Sequence, residues 1–147
     1  MRKQEVGFTL IEMVFVIVIV SVLSAVAIPK FSDTSGAARK AVLHNTASTI
    51  RASAHYVRGL YLMKREKNGY VDLLGEEVAV IRGYPVPSGI IYAAGVEEFE
   101  FYVNEEYARI YVPGTVDIEN CSIVYRSPKT DGFLTIPPVV EIADVGC

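Results

Sequence analysis

The chain has 147 residues, 51% of them hydrophobic, with two cysteines, no tryptophan and a formal net charge of −3, which leaves room for one modest domain besides a long apolar segment. Charge is unevenly placed: residues 30–67 hold eight Lys/Arg against Asp33 and Glu66, whereas residues 68–147 hold thirteen Asp/Glu against Arg82, Arg109, Arg126 and Lys129. An acidic C-terminal half argues against a general nucleic-acid surface there, because phosphate attraction needs clustered cations.

The first residues, Met1 to Gly7, carry Arg2 and Lys3 and no apolar core. The stretch Gly7-Phe8-Thr9-Leu10-Ile11-Glu12-Met13 then opens an apolar run that ends at Ile28-Pro29. From Val14 to Ile28 only Ser21 and Ser24 interrupt it, and counting from Phe8 gives 21 positions. At about 1.5 Å per residue that spans about 30 Å, the hydrocarbon thickness of a bilayer. Leading cations predict a cytoplasmic N-terminus with the remainder outside. A secretory signal peptide is one alternative, with Ala25-Val26-Ala27 as its cleavage site, but the run is long for a signal core and Glu12 is out of place in one. A buried soluble helix is the other, and a segment apolar on every face suits it poorly in so small a protein. Glu12 does not fit a plain anchor. A carboxylate in a spanning helix costs a few kcal/mol on insertion scales and is by default a functional residue with a partner to be named.

From Lys30 to Lys64 the pattern becomes amphipathic. Phe31, Ala38, Val42, Thr49, Ser53, Val57 and Leu60 recur at threes and fours, predicting a continuous helix whose narrow apolar stripe receives a sheet. Arg39, Lys40, Arg51, Arg58 and Lys64 fall on its other faces. His44 and His55 lie eleven residues apart, about 16 Å along the axis, too far to share one metal ion; they read as solvated. The cluster Lys64-Arg65-Glu66-Lys67-Asn68-Gly69 supplies cations and a glycine to end the helix. The stretch up to Val96, punctuated by Gly75, Gly83, Pro85, Pro87, Gly89 and Gly95, reads as an irregular connection.

Strand signals begin near Phe99. With Glu105-Glu106 as the turn, Phe99, Phe101 and Val103 face Val112, Ile110 and Ala108, while Glu100 pairs Tyr111 and Tyr102 pairs Arg109 on the solvent face. Cys121–Arg126 and Val139–Val145 read as further strands separated by a turn at Lys129-Thr130-Asp131-Gly132. The fold class expected is therefore α+β. Beyond a membrane segment the chain enters an oxidising space, where Cys121 and Cys147 would close into a bridge. A loop of about 27 residues contributes roughly 3–4 kcal/mol in the chain-entropy description.

Gly7-Phe8-Thr9-Leu10-Ile11-Glu12, with its cationic leader and apolar helix, resembles the class III leader and N-terminal segment of type IV pilins and pseudopilins. The resemblance covers roughly residues 1–35. It implies a pilin fold, a long N-terminal α-helix on an antiparallel sheet, in which a prepilin peptidase cuts between Gly7 and Phe8 and methylates the nitrogen of Phe8. Glu12 would be the assembly carboxylate, paired with the new Phe8 amine of a neighbouring subunit. An amine and a carboxylate in an apolar layer attract strongly at low dielectric. Pro29 and Gly36 would mark the weak points of the long helix, the proline bending it by removing one backbone hydrogen bond; alternatively Pro29 begins a new helix at its first turn. The implied organisation is a leader over 1–7, a membrane and filament-core helix over 8–29, an amphipathic continuation over 30–67 and a head over 68–147 with a connecting loop over 68–96. The Cys121–Cys147 pair resembles the disulfide-bounded region of type IVa pilins, and Ala27-Ile28-Pro29-Lys30-Phe31 and the closing Val145-Gly146-Cys147 resemble mannose-sensitive haemagglutinin-type pilins.

No catalytic constellation, phosphate loop or ligand-spaced set is visible. Glu97, Glu98, Glu100, Glu105 and Glu106 lack calcium-loop spacing and read as a solvated sheet edge. The resemblance implies a non-enzymatic filament subunit without cofactors. It would sit in the inner membrane and then in a surface pilus for adhesion or motility. Its partners would be its own copies, the peptidase/methyltransferase and an inner-membrane assembly platform. A minor pilin or secretion pseudopilin is the second expectation, and a membrane-anchored enzyme or binding domain the different-class alternative.

Overall fold

The computed structural model describes residues 7–64, 69–115, 117–131, 134–135 and 137–147. The expected helix-ending cluster after Lys64 and the turn at Gly132 fall largely outside these residues, as does the cationic leader. Met1–Ala37 and Ala38–Cys147 form separate compact units. One helix, α1 (Leu10–Lys64), passes through both.

In the second unit α1 packs on two antiparallel sheets. The smaller has three strands in the order β1 (Tyr70–Leu73), β2 (Glu76–Ile81) and β3 (Tyr84–Pro85), followed by a short helix, α2 (Pro87–Ala93). The larger has the order β4 (Glu100–Val103), β5 (Tyr107–Tyr111), β6 (Ser122–Arg126) and β9 (Val139–Ala143). A two-strand ladder, β7 (Thr130–Asp131) with β8 (Leu134–Thr135), lies in the connection between β6 and β9. The result is an α+β fold with a long helix on antiparallel sheets.

The stretch expected to be an irregular connection is therefore ordered. Leu73 pairs Glu76 across the two residues Leu74-Gly75, and Ile81 pairs Tyr84 across Arg82-Gly83. All four turn residues have positive φ: 56° at Leu74, 93° at Gly75, 57° at Arg82 and 84° at Gly83. Two-residue hairpin turns of this hand match the twist of the strands. Both glycines thus mark reversals of a meander. Leucine and arginine are unusual in the left-handed region, and the familiar Asn-Gly or Asp-Gly signal is missing from both turns. At Gly83 a Cβ would stand 2.6 Å from Cδ1 of Tyr61, so this turn also abuts the helix.

The hairpin of β4 and β5 has the expected register, Glu100 with Tyr111, Phe101 with Ile110, Tyr102 with Arg109 and Val103 with Ala108. Asn104 shapes its turn by accepting hydrogen bonds from the amides of Glu106 and Tyr107 at 2.9 and 2.8 Å. Ala108 and Ile110 are buried, yet Phe101 on the edge strand is exposed.

The buried face of α1 differs from the expected stripe. Leu43, Thr46, Ala47, Ile50, Ala54 and Val57 are buried, whereas Val42 is 44% exposed and Ala38 and Thr49 are also exposed. Only Val57 of the expected set is fully buried; Ser53 and Leu60 are half-buried, and the side chain of Phe31 lies outside the description. Each residue advances a helix by about a quarter turn or slightly more, so the row one position later faces a different direction. That row carries Leu43 and Ile50, whose burial outweighs that of Thr49 and Ser53.

Leu43, Ala47, Ile50 and Ala54 pack with Ile90, Ala108, Ile110, Ile123 and Tyr125. Val57 belongs to a second cluster with Val71, Leu73, Val78 and Val80 of the smaller sheet. Tyr125 of β6 reaches the smaller sheet, its hydroxyl donating to the carbonyl of Pro85 in β3 at 2.8 Å. Burial, with the neighbouring Tyr84, pushes the Tyr125 phenol well above the ordinary value of 10.0, so it remains a donor at physiological pH.

Three outcomes follow for the full chain in detergent, measured by denaturant midpoints. Ile50→Ala costs about 2–5 kcal/mol, while Val42→Ala stays within about 0.5–1 kcal/mol; equal effects would reverse the face assignment. Leu74, 96% exposed, contributes little packing, so Leu74→Asn stabilises by about 1 kcal/mol through relief of left-handed strain. Because folding raises the Tyr125 value, its contribution is complete below about pH 10 and is lost as pH rises through and beyond that. Tyr125→Phe should lower neutral stability by about 1–2 kcal/mol and flatten this alkaline loss; an unchanged alkaline slope would exclude the phenol as its source.

Candidate functional site

The N-terminal segment is built from a cap outward. Thr9 precedes the first residue of α1, and Glu12 reaches back to it: the Thr9 amide and hydroxyl both donate to Oε2 of Glu12 at 3.0 Å. The Glu12 amide donates in turn to the Thr9 hydroxyl oxygen at 3.3 Å. This reciprocal arrangement is a capping box, which satisfies backbone donors that the first turn leaves unpaired. The spacing Thr9-x-x-Glu12 before an apolar run is its sequence signature, and it supplies an intrachain partner that reasoning from charge alone overlooked. Phe8 remains joined to Gly7 here, so its nitrogen is an amide; pairing of Glu12 with a Phe8 amine is a property only of a cut chain. Gly7 and Phe8 are both exposed.

Leu10–Ile28 follows, 19 residues of mean hydropathy 2.8 with none of the segment buried. At about 1.5 Å per residue it spans about 28 Å, close to a bilayer core. The hydroxyl of Ser21 donates to the carbonyl of Ile17 at 2.6 Å, so this polar group is satisfied within the helix. The helix continues through Pro29 and Gly36; neither ends it, and no second helix begins at Pro29. Proline still has no N–H to offer the carbonyl four residues earlier.

In the head, Cys121 and Cys147 form a disulfide with Cα atoms 4.9 Å apart. The adjacency comes from the sheet: Ser122 pairs Ala143 in the antiparallel ladder of β6 and β9, so the residues just outside these strands approach each other. The Gly146 amide donates to the Asn120 carbonyl at 2.9 Å, and a Cβ on Gly146 would meet the Cβ of Asn120 at 2.7 Å. Glycine is therefore required by space where the closing segment crosses Asn120.

Three arginines of α1 serve this head. Arg39, Arg51 and Arg58 donate to the carbonyls of Cys147, Val140 and Arg82 at 3.3, 3.1 and 2.8 Å, and the Arg58 guanidinium stands 4.6 Å from the Tyr84 ring centroid. They tie the helix to the C-terminal segment and to the second hairpin turn. His44 and His55 take separate partners: His44 Nε2 lies 3.3 Å from Oδ2 of Asp144, and the His55 ring meets Tyr84 edge-on at 5.8 Å. Among the described residues no group of three His, Cys, Asp or Glu could hold a metal ion. Glu97, Glu98, Glu100, Glu105 and Glu106 are all exposed. Lys129, 2.9 Å from Glu106, holds that carboxyl below its ordinary range.

Against known families, residues 2–28 match the prokaryotic N-terminal methylation motif. The chain is 45% identical over 47 residues to the type IV narrow pilus major component PilA5 of Thermus thermophilus. That alignment covers 32% of this chain and 40% of the relative. No solved structure matches the chain. In its methylation motif, in the unburied apolar helix that the motif takes in, in the N-terminal third it shares with a pilin, and in a long helix on an antiparallel sheet, the chain is similar to type IV pilins and pseudopilins.

Proposed function

We propose that the chain is the structural subunit of a type IV pilus, processed between Gly7 and Phe8, methylated on the Phe8 nitrogen and assembled through its N-terminal helix. The observation that carries this reading is the methylation motif over residues 2–28, which takes in the 19-residue apolar segment Leu10–Ile28, unburied among the described residues. Exposed apolar surface on this scale is tolerable in lipid, or when reburied against other helices. A prepilin peptidase would release the Phe8 amine. That amine would compete with the Thr9 cap for Glu12, transferring the carboxylate from its own helix to a neighbouring subunit. Before assembly the protein would cross the inner membrane once, N-terminus inside. An assembly platform would then extract it into a surface filament with adhesive or motility functions. Pro29 and Gly36 are proposed as the points where α1 yields during packing, since proline interrupts the hydrogen-bond ladder and glycine is the weakest helix former after it. The role is structural rather than catalytic. That the relative is a major pilus component favours a major subunit over a minor pilin or secretion pseudopilin.

Mass spectrometry of sheared surface filaments tests processing. The expected result is an abundant chain that begins at N-methyl-Phe8 and carries the disulfide; an intact leader and no filaments would leave only a membrane anchor. For Glu12 two variants separate cap from charge. Glu12→Gln keeps an acceptor for Thr9 but removes the charge, and Glu12→Ala removes both. Both are expected to abolish most piliation while leaving the membrane pool; normal piliation by Glu12→Ala would sink the assembly role.

A further inference from the structure

We infer that the Cys121–Cys147 bridge is a redox-operated clamp on the part of α1 that enters the head, acting through Arg39. The inference concerns the head alone and goes beyond the filament reading. Among the described residues of α1, Leu43 is the first that is buried. The turn before it is thinly attached: Ala38, Lys40, Ala41 and Val42 are exposed, and Arg39 is half-buried. Arg39 donates to the Cys147 carbonyl at 3.3 Å, whereas Lys40 makes no side-chain hydrogen bond among the described residues. What holds this turn is therefore whatever holds Cys147. Cys147 belongs to a short strap, residues 144–147, that lies beyond the end of β9 at Ala143 and so outside the ladder with β6.

On the sheet side the strap is tied by the bridge to Cys121, by the Gly146 amide donating to the Asn120 carbonyl at 2.9 Å, and by the Thr115 hydroxyl donating to the Gly146 carbonyl at 3.2 Å. On the helix side it is tied by Arg39 and by His44, whose Nε2 stands 3.3 Å from Oδ2 of Asp144. The covalent tie fixes the Cys147 carbonyl in place, and an acceptor that moves forfeits a directional hydrogen bond. Without the bridge, a segment outside the ladder opens locally at low cost. Cys121 is fully buried and Cys147 half-buried, so a thiolate reaches the bridge at Sγ of Cys147. A dithiol reductant completes the reaction: its first thiolate bonds to that sulfur while the S–S bond breaks, and Cys121 leaves as a thiolate and takes up a proton. The second thiol of the reductant then closes a cyclic disulfide and releases Cys147 as the other thiol, so the reductant is oxidised and the protein pair reduced. As a thiol, Cys121 remains a small apolar filler in the cluster that holds Ile123 and Tyr125. Reduction therefore frees the strap, and with it the turn at Arg39, while the sheets stay packed.

Hydrogen exchange of the full chain in detergent, bridged and after treatment with dithiothreitol, tests the clamp. Reduction should speed exchange of the amides of residues 40–44 about tenfold, the scale of one hydrogen bond to a charged group, while residues 50–57 and 123–125 stay protected. Arg39→Ala in the bridged chain should speed the same amides by a similar factor. Reducing that variant should add little, since the two changes share one contact. Lys40→Ala is the control and should leave exchange unchanged. Equal loss of protection across the whole head on reduction would overturn the local clamp, as would an Arg39→Ala chain that exchanges at the wild-type rate. Effects of reduction and of Arg39→Ala that multiply would overturn the route through Arg39.

Discussion

The constraint on which the molecule depends is the apolar surface of Leu10–Ile28, which is unburied among the described residues. Water is a poor solvent for it, and each buried methylene is worth about 0.8 kcal/mol, so the segment demands lipid or other helices. A helix satisfies its own backbone in hydrocarbon, leaving only its ends and polar side chains to be dealt with. Here the first turn is closed by the Thr9–Glu12 box and the Ser21 hydroxyl by the carbonyl of Ile17. The first turn and Ser21 are thus satisfied within the helix, while its apolar surface is left without contact among the described residues.

Glu12 stands at the junction of these two conditions. As a cap it stabilises the start of the helix that contains it, and its charge is shared by two donors of one residue. As an assembly carboxylate it would have to give up some of that arrangement for a cation on another chain. A stronger donor in a layer of low dielectric can drive such an exchange, and cleavage beside Phe8 would create one. On the proposed function, processing and assembly would be linked through a single carboxylate.

The head solves a different problem, fixing a helix onto sheets. Its apolar row is made of modest side chains, Ala47 and Ala54 among Leu43, Ile50 and Val57, which allow close approach of strands. Three arginines reinforce the contact from the flanks by bonding to backbone carbonyls. The disulfide and the close crossing of Gly146 over Asn120 then hold the end of the chain against the start of β6.

Features governed by local chemistry were legible in the sequence. The apolar run is a matter of composition. The register of β4 on β5 follows from alternation around one turn; the Thr9-x-x-Glu12 spacing of the capping box was present too, but overshadowed by the charge of Glu12. The small meander was not legible, because its turns use Leu74 and Arg82 in a conformation their side chains disfavour; glycines that resembled loop punctuation are the second residues of tight reversals. Which face of α1 is buried was decided by the tertiary structure. Val42 and Thr49 are spaced as regularly as Leu43 and Ile50, and only the sheets supply the area that favours the second pair. The destinations of Arg39, Arg51 and Arg58 were decided there too, since a carbonyl 24 to 108 residues away becomes a partner only when the strands bring it near. By itself the sequence determined the apolar segment, the register of β4 on β5 and the α+β class, because short-range patterning encodes these; the structure supplied the Thr9–Glu12 cap, and long-range packing decided the buried face and the latches.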